Sequence, residues 1–413
     1  MSELKAQLQE WREALLGRMP AAPGWIGGRW QRPGMVLLLA FLIVFPFLFT
    51  EASGFIQATI LAFAYVVMAL GLNIVVGFAG LLDLGYVAFY AFGAYAVGEF
   101  ASDFLSAEHL NLLSSASHDP IGIHLNFILV LVCSVIVTSI AGIIIGLPTL
   151  RLRGDYIAIV TLAFGEIIGT LVVNGSTVSI GGGMTLTAGN LGISSLDLPY
   201  FPGVGSFTLL NLRPWYWLIL IVGVFAVFVA YRLRDSRLGR AWIALREDEV
   251  AAVSMGIPLV KTKLEAYAIG AAFGGISGVF LAYFDQTVNA SQFEFSFSIF
   301  VLSMVILGGI ASIPGVILGA LAISYINYYL IPDVLNNLPQ TFGLNFSLTD
   351  LSIGIYGFLL VIVMILRPQG LWPEKRRKRE LAGVGIASEM TELAEPTQVS
   401  VGGGLDQGGF GTL

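Results

Sequence analysis

Four carboxylates stand inside or at the margin of long apolar runs. Asp83 lies in the stretch GFAGLLDLG, Glu166 lies midway along another run, and Glu99 and Asp285 lie towards the ends of two more. A carboxylate placed in a bilayer costs about 2.5–3.5 kcal/mol on insertion scales, so these groups mark pathways or proton relays by default. Glu166 has two readings, an interhelical hydrogen bond or a pathway group. Asp83 either packs and caps its glycine-rich break or touches a ligand. One central Glu and one Asp at a break make a thin relay, because a proton-coupled carrier typically strings carboxylates and histidines through its core. Two glycine-rich breaks complete the set. The first carries Asn73, Gly77, Gly80, Asp83 and Gly85, and the second carries Gly308, Gly309, Ser312 and Gly315 on the way to Gly319. Residues this small allow close helix crossings, or leave half-helix ends whose free N–H groups can meet a carboxylate. Tight packing alone is the other reading of both breaks.

All three histidines, His109, His118 and His124, fall between residues 102 and 124 with Asp103, Glu108 and Asp119. Their spacing matches no tight metal-ligand pattern, so the stretch reads as a solvated loop and no metal or cofactor is expected. The single cysteine, Cys133, excludes a disulfide scaffold.

The elements that must position these groups follow from composition. Of 413 residues, 56% are hydrophobic and 12% are charged, against about 25% charged in a soluble domain. So few charges cannot cover a soluble globule of this size, and the apolar surface must face lipid. The 21 Lys and Arg against 27 Asp and Glu disfavour a nucleic-acid partner. Spanning a bilayer takes about 20 mostly apolar residues with every backbone polar group satisfied inside the segment. About ten such runs occur, near 35–50, 55–76, 81–101, 125–147, 156–173, 215–232, 264–284, 297–310, 314–331 and 351–366. The expected fold is therefore an all-α polytopic membrane protein of about ten transmembrane helices with broken or short glycine-rich segments. Because 34 residues precede the first run and no small-residue cleavage site follows it, that run is not read as a removable signal peptide.

Lys and Arg accumulate in cytoplasmic loops. With ten alternating spans, 20 of the 21 basic residues fall on one side, in the N-terminal segment, after Leu150, between residues 232 and 263 and after Leu366, with Arg213 the exception. Both termini are then cytoplasmic. The layout is a cytoplasmic N-terminal amphipathic segment over 1–34, a transmembrane domain over 35–373, and a basic, then disordered tail over 374–413. Ser2 with Leu4, Leu8, Trp11 and Leu15 suits a short helix on the inner leaflet, and the run at 375–379 suits anionic lipid headgroups. The long, nearly uncharged outer stretch 174–214 suits docking by an outer partner.

No P-loop, HExxH, CxxC or GxSxG occurs, so nucleotide hydrolysis, protease, redox and hydrolase chemistries lack their residues. Transport remains, as an ion-coupled secondary carrier, a channel, or the membrane subunit of a transporter whose ATPase is a separate chain. The cytoplasmic loop at about 232–263 discriminates. Leu245, Val250, Ala251 and Ala252, interleaved with Arg246, Glu247, Asp248 and Glu249, suit a short helix with one small apolar face, ended by Gly256 and Pro258. A helix whose first turn is acidic suits a protein partner better than a membrane surface.

At this point the sequence resembles a known family. EVAAVSMG, Glu249 to Gly256, resembles the coupling loop of ABC importer permeases, with one residue inserted between the acid and the Ala pair. More specifically, the chain resembles the LivM branch of the branched-chain amino acid permeases. The matching stretches are GLNIVVGFAGLLDLGYVAFYAFGAY from Gly71, LRLRGDYIAIVTLAFGEII from Leu150, GRAWIALREDEVAAVSMGI from Gly239, VILGGIASIPGVILGA from Val305 and RPQGL from Arg367. Ala311 stands where the family usually has Gly, and the tail is longer than the family needs. The resemblance implies a permease in the bacterial cytoplasmic (inner) membrane that works by alternating access with a second LivH-like permease, two ATP-binding subunits and an extracytoplasmic substrate-binding protein. Leu, Ile or Val is the implied cargo, and relatives of similar appearance carry urea, amides or other amino acids. Arg246, Glu247, Asp248, Glu249, Ala251, Ala252 and Gly256 would couple to the ATPase. The pathway would be lined by the residues of the two breaks with Glu166.

Overall fold

The computed structural model describes residues 40–50, 53–105, 109–112, 122–150, 156–181, 184–201, 207–208, 211–335, 351–366 and 370–372, all within one compact unit, Met1–Pro373. The expected N-terminal amphipathic helix, Arg151 and Arg153, and the tail from 374 lie outside the described residues.

Among the described residues, eleven helices form the body of the fold. They are α1 (Gly54–Leu72), α2 (Val87–Phe100), α3 (Phe127–Thr149), α4 (Tyr156–Asn174), α5 (Arg213–Asp235), α6 (Arg237–Glu247), α7 (Glu249–Ser254), α8 (Leu259–Asp285), α9 (Phe295–Gly308), α10 (Ile313–Tyr325) and α11 (Ser352–Leu366). A π-helical stretch continues α1 over Asn73–Phe78 and another continues α10 over Ile326–Leu335. Among the described residues, six helices, with these extensions where present, are long and apolar enough to cross a membrane, while α2 and α9 are shorter apolar helices. The expected run at 35–50 is described only from residue 40, as a short helix running into a tight turn at Phe45–Phe47 and tied to α5 where Tyr216 Oη donates to Leu42 O at 2.8 Å.

Burial inverts the pattern of a water-soluble bundle. On α3, Ile128, Val132, Ile136, Ile140 and Ile144 are each more than half exposed, one per turn, while Ser134, Thr138 and Thr149 are buried. Lipid takes the branched apolar side chains, and small or hydroxyl residues face the protein, where helices gain by close approach. Helix α1 is apolar all round and buried along nearly its whole length, as an all-round hydrophobic helix must be in a bundle centre.

Helix α8 packs against α1, α2 and α3. Its Gly270, Gly274 and Gly278 recur every four residues and so form one ridge. A Cβ on Gly270 would meet Val75, one on Gly274 would meet Phe89, and one on Gly278 would lie 2.5 Å from Tyr90 O. The adjacent Gly275 packs on Thr138 of α3, and Gly93 of α2 lies against Gly275 itself.

On the end remote from the 232–263 loop, short strands close the structure. Ile193–Ser194 pairs antiparallel with Thr287–Val288, and Ala101–Ser102 pairs with Ile123–His124. Buried His124 bridges two carboxylates there, with Nδ1 2.8 Å from Asp197 and Nε2 3.3 Å from Asp103. Burial is the main cause that pushes the Asp197 carboxyl above its ordinary value, and the bond from His124 pulls the other way.

Gly278→Val should lower the thermal midpoint of the purified protein in detergent, since a side chain there meets backbone that cannot move aside; overpacking of this kind costs about 1–3 kcal/mol or more. Gly223→Ala on α5, where nothing lies within 4 Å, should leave the midpoint within error.

Candidate functional site

The two glycine-rich breaks meet at the end of the bundle that carries α6 and α7. At the first, α1 unwinds: Ala79 N donates to Ile74 O, Leu81 N donates to Val75 O at 3.0 Å, and Gly80 takes φ +72. A left-handed residue that lets the chain fold back on the last helical carbonyls is the usual helix stop, and Gly meets it without Cβ strain. The second break turns at Gly309, φ +117, and at Ala311, φ +68, before Ser312 caps α10 by accepting from Gly315 N at 3.2 Å. Ala311 therefore carries left-handed strain at the position where the family resemblance expects Gly.

Buried Asn73 ties the breaks together. Its Oδ1 accepts from Ala311 N at 2.8 Å, and a Cβ on Gly77 would fall 2.2 Å from that oxygen. Gly308 and Gly315 pack backbone against backbone. The segment Gly370–Trp372 then lies on this break, with Leu371 N donating to Leu307 O at 2.8 Å, Trp372 N donating to Gly308 O, and Gly370 at φ +78 against Gly309.

The loop 232–263 forms two helices, α6 and α7, separated by Asp248. Extended at φ −153, Asp248 accepts from Val250 N at 2.8 Å and Ala251 N at 2.9 Å, so its carboxylate caps α7. Buried Trp242 donates its indole N–H to Thr262 O at 2.8 Å, and Glu249 pairs with buried Lys263 at the start of α8. Arg246 reaches the other way. Its Nη1 donates to Gly77 O, and its Cγ lies 2.4 Å from where a Cβ of Gly80 would be. A residue expected to couple and residues expected to line the pathway thus form one contact. The apolar face left open keeps the expected Val250 and Ala251, both exposed, but loses Leu245 and Ala252. Leu245 and Ala252 are buried, whereas Val250, Val253 and Met255 are exposed, because the Asp248 cap and the Glu249–Lys263 pair fix which side turns inward. Gly256, at φ +86, has open space around it.

Asp83 and Glu166 stand apart from this junction. Asp83 is 2% exposed, with Oδ1 accepting from Gly85 N at 2.9 Å and no hydrogen-bond partner for Oδ2 among the described residues. Leu84 N donates to Thr161 Oγ1, and a Cβ on Gly85 would clash with Thr161 O, so α4 locks this turn. Glu166 is exposed and lines a groove of about 610 Å³ with Thr170, Asn174, Asn190, Asn289 and Glu294. Among the described residues no group of His, Cys, Asp and Glu gathers as a metal site. Sequence reasoning missed Lys263 and Trp242. Their signal was available: a Lys just past a helix start and a Trp in a loop rich in charged residues.

Long apolar helices, small residues at their crossings and a polar helix pair held at one end define a polytopic membrane permease. The family described as "Branched-chain amino acid transport system / permease component" matches residues 54–364. The chain is 35% identical to the high-affinity branched-chain amino acid transport system permease protein LivM of Escherichia coli (strain K12), over 85% of this chain and 77% of that protein. It is 29% identical to the probable LivM permease of Methanocaldococcus jannaschii, over 75% and 91%. A shorter similarity, 26% identity over 38% of this chain and 45% of the relative, reaches LivH of Escherichia coli (strain K12). No solved structure matches the chain. The chain belongs to the branched-chain amino acid transport permeases, as a LivM-type member.

Gly80→Ala should destabilise the first break by about 1–2 kcal/mol from left-handed strain and displace Arg246. Hydrogen exchange at Leu81 and at the 246–256 helices should rise together; unchanged protection in 246–256 would show that Arg246 does not tie them.

Proposed function

We propose that this chain is the membrane-spanning subunit of an ATP-driven importer of leucine, isoleucine and valine, working by alternating access in the bacterial cytoplasmic membrane. In this reading the chain has ten spans and both termini inside, and it pairs with a LivH-like permease whose sequence relatedness the shorter similarity reflects. Two ATP-binding subunits complete the complex, one of them docking on α7, and an extracytoplasmic binding protein delivers the amino acid to the opposite end.

The carrying observation is the Arg246 contact with Gly77 and Gly80. Alternating access needs a displacement at the ATPase to become a displacement of pathway helices. Movement of α7 is passed to α8 through Glu249 and Lys263, and to the end of α1 through Arg246. The end of α1 is joined in turn to the second break through Asn73. These are short polar ties between rigid helices, so a rotation of α7 is not lost in slack. Glu166 fits the same scheme. A carboxylate midway along α4 and exposed from the fold is costly against lipid and is accommodated where the second permease or a watered path covers it.

Val250→Asp and Gly256→Asp should each reduce co-purification with the ATP-binding subunits, or substrate-stimulated ATP hydrolysis in reconstituted membranes, at least tenfold, while membrane insertion persists. The Asp at 250 must be desolvated against the partner, and the Asp at 256 adds left-handed strain. Lys261→Gln, which removes only a 4.0 Å surface pair with Glu265, should be nearly silent. Full coupling in both Asp variants would remove α7 from the ATPase interface.

A further inference from the structure

At the far end of α8 a cavity of about 280 Å³ opens between α1, α2, α8, α9, the extension of α10 and α11. Its walls are aromatic. The Tyr65 and Tyr328 rings stack at 5.5 Å with their hydroxyls 2.5 Å apart, the Tyr90 and Phe297 rings stack at 4.8 Å, and Phe300 stands edge-on to Tyr65 at 5.4 Å. Its mouth is acidic, with Asp285 and Glu294 both exposed, and no Lys or Arg lines it among the described residues. Asp285 is also the last residue of the 27-residue α8, whose C-terminal end carries partial negative charge. Two carboxylates, a helix C-terminus and several π faces converge on one small space. Each favours a cation.

We infer that this cavity is an intermediate binding site for the transported amino acid, in which Asp285 receives the α-ammonium group and Phe297, Ile299 and Phe300 receive an apolar side chain. The inference rests on the importer reading above and adds the site that reading leaves open. The volume lies at the lower end of small-molecule sites, roughly 300–1,000 Å³, which suits an amino acid and excludes a peptide. An acidic side chain would be repelled by the same carboxylates. Apolar contact beyond the ammonium separates a branched amino acid from a bare metal cation, which would require convergent oxygen ligands. The mouth continues past Ser291 and Glu294 into the groove that carries Glu166, so an amino acid leaving the cavity meets a second polar surface.

The test uses the complete importer without its binding protein, in nanodiscs of phosphatidylglycerol alone so that no lipid amine competes. It is titrated calorimetrically with L-leucine, 3-methylbutan-1-amine, which lacks the carboxylate, and 4-methylpentanoate, which lacks the ammonium. Leucine and the amine should bind and the acid should not. Asp285→Asn should weaken leucine and amine binding about tenfold or more, the usual loss for a charged hydrogen bond, while the variant still co-purifies with its partners and hydrolyses ATP. Glu294→Gln, at the mouth, should weaken binding less and serves as the measurement if Asp285→Asn does not assemble. Absence of leucine binding to the parent, equal binding of the acid and the amine, or unchanged binding in the variants overturns the cavity assignment. Parent proteoliposomes with binding protein that take up leucine with ATP keep the importer reading intact in each of those cases, and an assembled parent that takes up no branched-chain amino acid overturns that reading instead.

Discussion

The close approach of α8 to its neighbours governs the rest of the fold. Without a hydrophobic drive between helices in lipid, association depends on van der Waals contact and on hydrogen bonds that need short distances. Gly270, Gly274, Gly275 and Gly278 provide those distances on two faces of α8 at once. They fix α1, α2 and α3 around it closely enough for Tyr86 Oη to donate to Gly270 O at 2.8 Å. Because these contacts set the α8 backbone directly against the backbone at Tyr90 and the side chains of Val75, Phe89 and Thr138, α8 cannot slide by a fraction of a turn without losing all of them. A helix held in this way moves as a body or not at all.

That rigidity gives the inner junction its meaning. Lys263 near one end of α8 pairs with Glu249, and Asp285 at the other end stands at the mouth of the aromatic cavity. The 27 residues of α8 span about 40 Å at 1.5 Å per residue, the depth of a bilayer with its interfaces. The two breaks, by contrast, are where the backbone departs from helical geometry. Gly80, Gly309, Ala311 and Gly370 all take positive φ there, and such positions are where hinge motion is absorbed. Stiff shaft and compliant ends are thus separated along the chain, with Arg246 and Asn73 crossing between the compliant pieces.

Much of this was legible in the sequence, and the reasons differ by element. Periodicity located the helical segments because long apolar runs have one solution in lipid. The helix α2, at 14 residues, is shorter than its apolar run at 81–101 because the first break takes the start of that run, whereas α9, also 14 residues, keeps the length of its run. The glycines of the breaks were visible as composition, and their convergence with Arg246 was not, since sequence spacing carries no information about which of two helix ends a distant loop crosses. The α7 face was misjudged for a physical reason. A six-residue helix has too few residues for periodicity to orient it, and two side-chain contacts, the Asp248 cap and the Glu249 pair, decide its rotation.

The acids illustrate the same point from the other side. Asp83, Glu166 and Asp285 stood out together as ionisable residues in or beside apolar runs, and the fold gives each a different environment. Asp83 is enclosed and bonded to its own turn, Glu166 is exposed on an outer helix face, and Asp285 is at the mouth of an aromatic cavity. A relay requires acids within one or two hydrogen bonds of each other, and among the described residues these three share no hydrogen bond. Among the described residues none of the three pairs with a Lys or Arg, and the two exposed ones, Glu166 and Asp285, are open to a cation from outside the chain. In the importer reading, the ammonium group of a zwitterionic amino acid is the part that such an exposed carboxylate can hold, and the aromatic wall beside Asp285 is the part that suits an apolar side chain.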